Sequence, residues 1–148
     1  MEGRLQREIK WMIQDPRPGV TLNTHSLNST LSECTADIEG APGTLYEGEK
    51  FQLKFKFIPP YPHVPPQVMF IGQNIPVNPH VYSNGHICLS TLSEDWLPSF
   101  TVGTICLSII SMLSSCKEKK PPVDNTIYVA TCSKDPTKTK WWYHDDSV

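Results

Sequence analysis

A strict alternation of apolar and polar residues between Phe51 and Phe57 is the feature that most constrains the fold of this chain. Side chains of a strand point alternately to opposite faces, so the pattern predicts a strand with one buried and one solvated face. The buried set is Phe51, Leu53, Phe55 and Phe57, and the solvated set is Gln52, Lys54 and Lys56. A sheet that is wet on one side is typically antiparallel.

Further strands are predicted on both sides of this one. Residues 33–39 alternate in the same way, residues 67–71 form a short apolar run, and a weaker strand is predicted around residues 20–24. The apolar positions of the first of these segments are Cys34, Ala36 and Ile38. The turn before Phe51 is predicted at Gly40, Gly43 and Gly48. The four segments together favour an antiparallel meander.

Helices are predicted before and after the strands. Residues 2–14 carry an apolar stripe at helical spacing, and Asp15-Pro16 ends this helix because a residue before proline avoids the α region. The stripe is Leu5, Ile9, Met12 and Ile13, and Arg4, Arg7, Glu8 and Lys10 are predicted to lie away from it. Residues 101–115 predict a buried helix with Thr101 as its N-cap. Its core face is Val102, Ile105, Cys106, Ile109, Ile110 and Leu113. With a short helix predicted within residues 123–132, the order of elements indicates an α+β fold.

Size and composition favour an intracellular globular domain. The 148 residues suffice for one core, which we expect at residues 1–132, followed by a mobile or loosely docked tail at residues 133–148. A net charge of −2 gives no reason to expect nucleic acid or an anionic membrane as a partner. No apolar run approaches the ~20 residues that cross a bilayer, and the N-terminal segment does not resemble a secretory signal. We therefore expect a reducing compartment, the nucleus or the cytoplasm.

The cysteines indicate a reactive thiol rather than a metal site or a disulfide scaffold. The five are irregularly spaced and include no CxxC pair, so we expect no bound metal and no cofactor. Cys34 and Cys106 fall on apolar faces and are interpreted as core residues. Cys88 differs because it follows the turn-forming sequence Ser83-Asn84-Gly85, which should place it on a rigid, partly exposed loop. A thiol in such a place can act as a nucleophile towards another macromolecule.

The stretch from residue 78 to residue 98 contains several linked elements in a fixed order. They are Asn78-Pro79-His80, Tyr82-Ser83-Asn84-Gly85, Ile87-Cys88-Leu89, and Trp96 with Pro98. These elements, together with residues 40–48 and 61–66, resemble the ubiquitin-conjugating enzymes, or E2s. Glu94-Asp95-Trp96 and the C-terminal Lys140-Trp141-Trp142-Tyr143 are similar to the W-type branch of that family. The resemblance implies the E2 fold, also called the UBC fold, with an N-terminal helix, a four-stranded antiparallel meander, a long active-site loop, a central buried helix and a partly irregular tail.

The resemblance also implies a chemistry. Cys88 would accept ubiquitin as a thioester from a separate activating enzyme (E1), which uses the ATP, and a RING or U-box ligase (E3) would promote transfer to a substrate amine. His80 would support the oxyanion or its loop, at a place where most E2s carry asparagine. Asn78 replaces the histidine usual in the family and is interpreted as a loop-organising residue. The other residues near the site are Pro79, Asn84, His86 and Ser90, and His86 is expected at the surface.

Partner surfaces are implied by position. Arg4 and Arg7, predicted on the solvated face of the first helix, match the place where E2s meet E1, and the alternative is a charged face without a partner. The residues that match the E3-binding loops are His63, Trp96, Pro98 and Ser99. His63 stands where phenylalanine is usual, and Trp96 is interpreted as a packing anchor for its loop.

Ser90 bears on the choice of acceptor amine. Many lysine-directed E2s carry an acidic residue at this place, two residues after the cysteine. A lysine amine, with a pKa of ~10.4, is almost fully protonated near neutral pH, whereas about a tenth of α-amino groups, with a pKa of ~7.7–8.0, are neutral. A site without that carboxylate should therefore favour the α-amino group of a disordered substrate N-terminus.

Two other functions stay open at this point. An E2-like module could bind ubiquitin or a ligase without catalysis, although modules of that kind resemble E2s that lack the cysteine. A thiol hydrolase could use Cys88 with His80 or His86, but no Asp or Asn is recognisable as the group that orients the base. In the tail, Trp141-Trp142-Tyr143 could dock transiently on the domain or could stay mobile and receive a substrate N-terminus.

Overall fold

The computed structural model describes residues 2–23, 32–132 and 134–138. The helices are α1 (Glu2–Gln14), α2 (Val102–Ser114) and α3 (Asn125–Thr131). The strands are β1 (Val20–Asn23), β2 (Glu33–Glu39), β3 (Lys50–Lys56) and β4 (Gln67–Ile71). Short 3-10 turns cover Ser90–Leu92 and Pro136–Lys138. This order of elements confirms the predicted α+β class, the four strands and the short helix after residue 123.

The strands form one antiparallel sheet in the order β1-β2-β3-β4, so each strand lies beside its sequence neighbour. Phe55 of β3 pairs with Cys34 of β2 and with Val68 of β4, and all three are buried. The buried side chains of the three strands therefore lie on one face of the sheet.

Strand β3 begins and ends one residue earlier than predicted. Phe57 is nevertheless buried, and its amide donates to the Ser32 carbonyl at 2.8 Å.

Helix α2 lies against β1 and β2 and contributes a large part of the core. A reciprocal pair of hydrogen bonds begins it: the Thr104 amide donates to Thr101 Oγ1 at 3.1 Å, and the Thr101 amide donates to Thr104 Oγ1 at 2.8 Å. The predicted N-cap is thus confirmed. Its buried residues are Val102, Ile105, Cys106, Ile109, Met112 and Leu113. Ile110, predicted on the core face, is partly buried and packs against the core, and Met112, which is not among the predicted core residues, is buried as well.

Helix α1 has the predicted limits, but its two faces are divided differently. Leu5 is buried as predicted, whereas Ile13 of the predicted apolar stripe is 54% exposed. Glu8, predicted on the solvated face, is 1% exposed. Its carboxylate accepts hydrogen bonds from the Tyr61 hydroxyl at 2.6 Å and from the Val102 amide at 2.7 Å. Partners from outside the helix make the burial possible, and helical periodicity does not reveal such partners.

Arg4 is also misplaced by the sequence pattern. Its Nε donates to the Glu8 carboxylate at 2.9 Å, and its Nη2 donates to the carbonyls of Pro98 at 3.0 Å and Phe100 at 2.9 Å. The prediction that Arg4 lies on the solvated face is therefore wrong, because the guanidinium connects α1 to the loop before α2. Arg7 is exposed, as predicted.

Part of the predicted tail is described. Pro136 is buried, and the turn Pro136–Lys138 lies next to β4. Residue 133 and residues 139–148, which include Trp141-Trp142-Tyr143, lie outside the described residues. Within the described part of the chain, no helix has the length and apolar character needed to cross a membrane.

Candidate active site

Cys88 follows a tight turn that is fixed against the sheet. The Gly85 amide donates to the Tyr82 carbonyl at 2.9 Å, and the Phe70 amide of β4 donates to the Gly85 carbonyl at 2.9 Å. Gly85 has a φ of +94°, and a Cβ at this position would lie 2.1 Å from the Phe70 carbonyl oxygen. Only glycine fits that close approach with a positive φ. We call residues 82–88 the thiol segment.

The thiol itself is more enclosed than predicted. Cys88 is 6% exposed, so the expectation of a partly exposed loop is wrong. The Cys88 amide donates to the His80 carbonyl at 2.6 Å, and Val81 and Ile87 form a bridge between the same two stretches. The turn therefore leads into a paired, strand-like segment that contains the buried Cys88. Ser90 begins the 3-10 turn that follows, and its carbonyl accepts from the amides of Ser93 and Asp95, both at 2.9 Å.

Asn78 connects the stretch beside Cys88 to the rest of the fold. It has no exposed surface, and its Oδ1 accepts from the His80 amide at 2.8 Å. Its Nδ2 donates to the Tyr46 hydroxyl at 3.2 Å, and that hydroxyl donates in turn to the Val77 carbonyl. Burial raises the pKa of Tyr46, so the hydroxyl stays protonated and can act as that donor. Both polar ends of Asn78 are therefore hydrogen-bonded, one to His80 within the loop and the other to Tyr46 outside it, and Pro79 beside it is buried.

His80 and His86 are both brought close to Cys88 along the backbone. His80 is buried, and its carbonyl holds the Cys88 amide. His86 is 4% exposed, so the expectation that it lies at the surface is wrong. Its Nδ1 lies 2.7 Å from the Tyr128 hydroxyl, at hydrogen-bonding distance. Burial lowers the pKa of His86, and the nearby Asp135 carboxylate opposes that shift.

Sequence reasoning missed the contribution of α3 and its flanking residues to the site. The Tyr128 ring stacks on Tyr82, with ring centroids 3.6 Å apart and planes inclined by 16°. The Tyr82 hydroxyl donates to the Asp124 carboxylate at 3.1 Å. These residues are 42 positions or more apart along the chain, and no local pattern signals such contacts.

The polar contacts between the two segments continue on either side of that stack. The Ser83 amide donates to Asn125 Oδ1 at 2.9 Å, and Asn125 Nδ2 donates to the Ser83 hydroxyl at 3.1 Å. Asn84 Nδ2 donates to the sulfur of Cys132 at 3.3 Å. The thiol segment is therefore held by β4 on one side and by residues 124–132 on another.

The positions implied for E3 contact belong to two loops that are joined to each other. Trp96 Nε1 donates to the Pro62 carbonyl at 2.8 Å, and its ring packs near Tyr61 and Phe100. Trp96 is thus a packing anchor, as predicted from the sequence. The residues His63, Pro98 and Ser99 are exposed.

The buried thiols of the core differ chemically from a nucleophile. Burial raises the pKa of Cys34 and of Cys106 to about 12, so both stay protonated at neutral pH. The prediction that they are core residues is confirmed. Across the described residues, no group of three or more His, Cys, Asp or Glu side chains is arranged to hold a metal ion.

Comparisons with known proteins agree with this arrangement. A family model described as ubiquitin-conjugating enzyme matches residues 4–144. The zebrafish (Danio rerio) protein named probable ubiquitin-conjugating enzyme E2 W-A is 63% identical over 147 residues, which are 99% of this chain and 97% of that protein. The ubiquitin-conjugating enzyme E2 W of Caenorhabditis elegans is 53% identical over 98% of this chain and 95% of its own.

Solved structures show the same fold. The crystal structure of ubiquitin-conjugating enzyme E2 UbcA1 from Agrocybe aegerita aligns with a TM-score of 0.85 and 39% identity over 91% of this chain and 96% of its own. The structure of human ubiquitin-conjugating enzyme E2 G1 aligns with a TM-score of 0.67 and 35% identity over 76% of this chain and 93% of its own. The fold, the family model and the relatives agree, and the chain belongs to the ubiquitin-conjugating enzyme family, as a transferase (E2) of the W type.

Proposed function

We propose that Cys88 receives ubiquitin from E1 as a thioester and gives it to the α-amino group of a substrate protein. The observation that carries the proposal is the fixed place of Cys88, whose amide is bound to the His80 carbonyl at the end of a glycine turn fastened to β4. In the first step the Cys88 thiolate attacks the E1 thioester, and the E1 thiolate leaves. In the second step a neutral amine attacks the Cys88 thioester, the amide bond forms, the Cys88 thiolate leaves and the amine loses a proton.

The second step passes through an oxyanion that needs hydrogen-bond donors. His80 is the candidate for this role, because the Asn78 side chain and the backbone pairing to Cys88 fix its backbone beside the thiol. Cys88 has little exposed area, which limits the approach of other reagents. No cofactor takes part in this scheme, because ATP is consumed on E1.

Ser90 supports the preference for α-amino acceptors. This position begins the 3-10 turn after Cys88 and carries a hydroxyl where a carboxylate would help to deprotonate lysine. Without such help, the rate of attack depends on the fraction of the amine that is already neutral. Near neutral pH this fraction is about two orders of magnitude larger for an α-amino group than for lysine. A disordered substrate N-terminus presents such an α-amino group without a fold that keeps it from a buried thiol.

The partners that follow are E1, a RING or U-box E3 and the substrate, acting in the nucleus or cytoplasm. Arg7 is exposed and available to E1. His63, Pro98 and Ser99 are exposed on two loops that Trp96 joins, which suits a single E3 surface.

The test of the proposal is a charging and discharge experiment. The protein is incubated with E1, ATP and labelled ubiquitin, and we expect an adduct that a thiol reductant removes. The charged protein is then given a peptide with a free N-terminus and no lysine, or an N-acetylated peptide with one lysine. We expect discharge to the first peptide at least about tenfold faster. Equal rates or a lysine preference would contradict the acceptor specificity, and the absence of a reducible adduct would indicate the non-catalytic module instead.

A further inference from the structure

Helix α3 does not behave as a core helix. None of its seven residues is buried, although it lies close to the candidate site. Ile127 is 70% exposed, on the side of the helix that faces solvent. The hydrophobic effect therefore gives little reason for α3 to lie where it does. Side chains of α3 and of its flanking residues Asp124 and Cys132 instead contact the thiol segment.

Those contacts reach most of the residues between the start of the thiol segment and Cys88. Asp124 binds the Tyr82 hydroxyl, Asn125 binds both the amide and the hydroxyl of Ser83, and the sulfur of Cys132 accepts from Asn84. The three residues that are bound in this way, Tyr82, Ser83 and Asn84, all precede Gly85 in the chain. These hydrogen bonds therefore fix the first half of the turn.

Tyr128 is the residue that holds both halves of the turn. Its ring stacks on Tyr82 before Gly85, and its hydroxyl lies 2.7 Å from Nδ1 of His86 after Gly85. The His86 and Tyr128 rings also meet edge to face, with centroids 5.7 Å apart and planes inclined by 73°. One side chain thus connects two residues on opposite sides of a turn whose second half ends at Cys88.

Reactions between positioned groups depend steeply on this kind of restraint. A displacement of about 1 Å between reacting atoms can cost about 10²-fold in rate. His86 is two residues from Cys88, so a change in the His86 side chain is passed on to the thiol through two backbone units. His86 has little freedom to move, because its own backbone forms a bridge to Met69 of β4.

We propose that Tyr128 is a positioning residue for ubiquitin transfer, which acts through His86 and Tyr82 to hold the Cys88 thioester where the amine attacks. This inference rests on the function proposed above. Tyr128 contacts Tyr82 and His86, and acting through them it should affect the maximal rate of discharge, kcat, and not the acceptor concentration at half-maximal rate, KM. A role limited to stability would leave the rate of the folded protein unchanged.

The test compares single and double variants of the hydrogen-bonded pair. Tyr128→Phe keeps the stack on Tyr82 and removes the hydroxyl, and His86→Gln alters the same bond from the other side. The double variant closes a mutant cycle. Ile127→Ala is the matched control, because it changes an exposed side chain of the same helix. For each, discharge from Cys88 to the free-N-terminus peptide is measured over a range of peptide concentrations, with the urea midpoint as the measure of stability.

We expect Tyr128→Phe to lower kcat by about two- to tenfold, the effect of one hydrogen bond, with KM unchanged. The double variant should be no slower than the slower single variant, and Ile127→Ala should match the wild type. An unchanged kcat, a change in KM alone, or strictly additive effects would each overturn the inference. If Tyr128→Phe does not fold, His86→Gln alone must show the loss in kcat. Failure of the wild type to charge would overturn the proposed function itself, whereas a charged wild type with unaffected variants would overturn this inference only.

Discussion

Glu8 shows how one buried carboxylate joins separate parts of the molecule. It accepts hydrogen bonds from Arg4 in its own helix, from the Tyr61 hydroxyl and from the first amide of α2. Burial and the hydrogen bond to Glu8 raise the pKa of Tyr61, so the Tyr61 hydroxyl stays protonated and remains the donor. Burying a carboxylate at 1% exposure without hydrogen-bond partners would cost much free energy. The three donors to Glu8 compensate for that loss of solvation.

Replacing Glu8 by alanine should destabilise the fold. The change leaves the Tyr61 hydroxyl and the Val102 amide without their acceptor, and we expect a loss of about 3 kcal/mol in the free energy of unfolding. Urea unfolding followed by circular dichroism measures it, with Lys10→Ala, an exposed change in the same helix, as the control. A loss no larger than that of the control would contradict this account of Glu8.

His86 should make stability depend on pH. Burial lowers its pKa in the folded protein, with Asp135 opposing, while the unfolded chain keeps the ordinary value of ~6.5. As the pH falls through ~6.5 the unfolded chain binds the proton first, so stability is lost on acidification and is retained above that pH.

The urea midpoint measured between pH ~8 and pH ~5 should therefore fall more for the wild type than for His86→Gln, which has no titrating group at this position. Parallel pH profiles for the two proteins would show that His86 is not the group responsible.

At the scale of the elements, the sequence predicts what depends on local pattern and misses what depends on partners. The strands at β2, β3 and β4 follow from a two-residue period and from their flanking turns, and their limits agree with the structure within one residue. The end of α1 follows from Asp15-Pro16. The burial of Glu8 and His86 does not follow, because each depends on a residue more than 40 positions away. The enclosure of Cys88 does not follow either, although the residues that pair with its segment are near in the chain: the turn sequence Ser83-Asn84-Gly85 does not reveal the backbone pairing with residues 80–82.

The C-terminal tail is a further element whose role a truncation can test. Asp135 is close enough to act on His86 and Pro136 is buried, so a truncation should keep both and end after residue 138. Removal of residues 139–148 takes away Trp141-Trp142-Tyr143, whose aromatic side chains we expect to help receive a flexible substrate N-terminus. We expect discharge to a disordered N-terminus to slow by about tenfold or less, with charging by E1 unchanged. Gel assays of both half-reactions give the answer, and two unchanged rates would remove the tail from the mechanism.

At the scale of the whole molecule, the surfaces proposed for E1 and E3 share one internal framework. Arg4 ties α1 to the carbonyls of Pro98 and Phe100, and Trp96 ties the same loop to Pro62. Asn78 and Tyr128 hold the stretches that carry His80 and Cys88. Cys88, which we propose as the nucleophile, is thus held by hydrogen bonds around its segment, and the exposed residues Arg7, His63, Pro98 and Ser99 remain as the proposed partner contacts.

The most direct test of the central claim is the position of the covalent bond to ubiquitin. Cys88→Ser replaces the thiol by a hydroxyl, so that E1, ATP and ubiquitin should give an oxygen ester that survives a thiol reductant. Peptide mass spectrometry should then locate ubiquitin's C-terminal carboxyl on residue 88, and Cys88→Ala should give no adduct. A reductant-sensitive adduct that persists in Cys88→Ala, or an ester mapped to any other residue, would contradict the account.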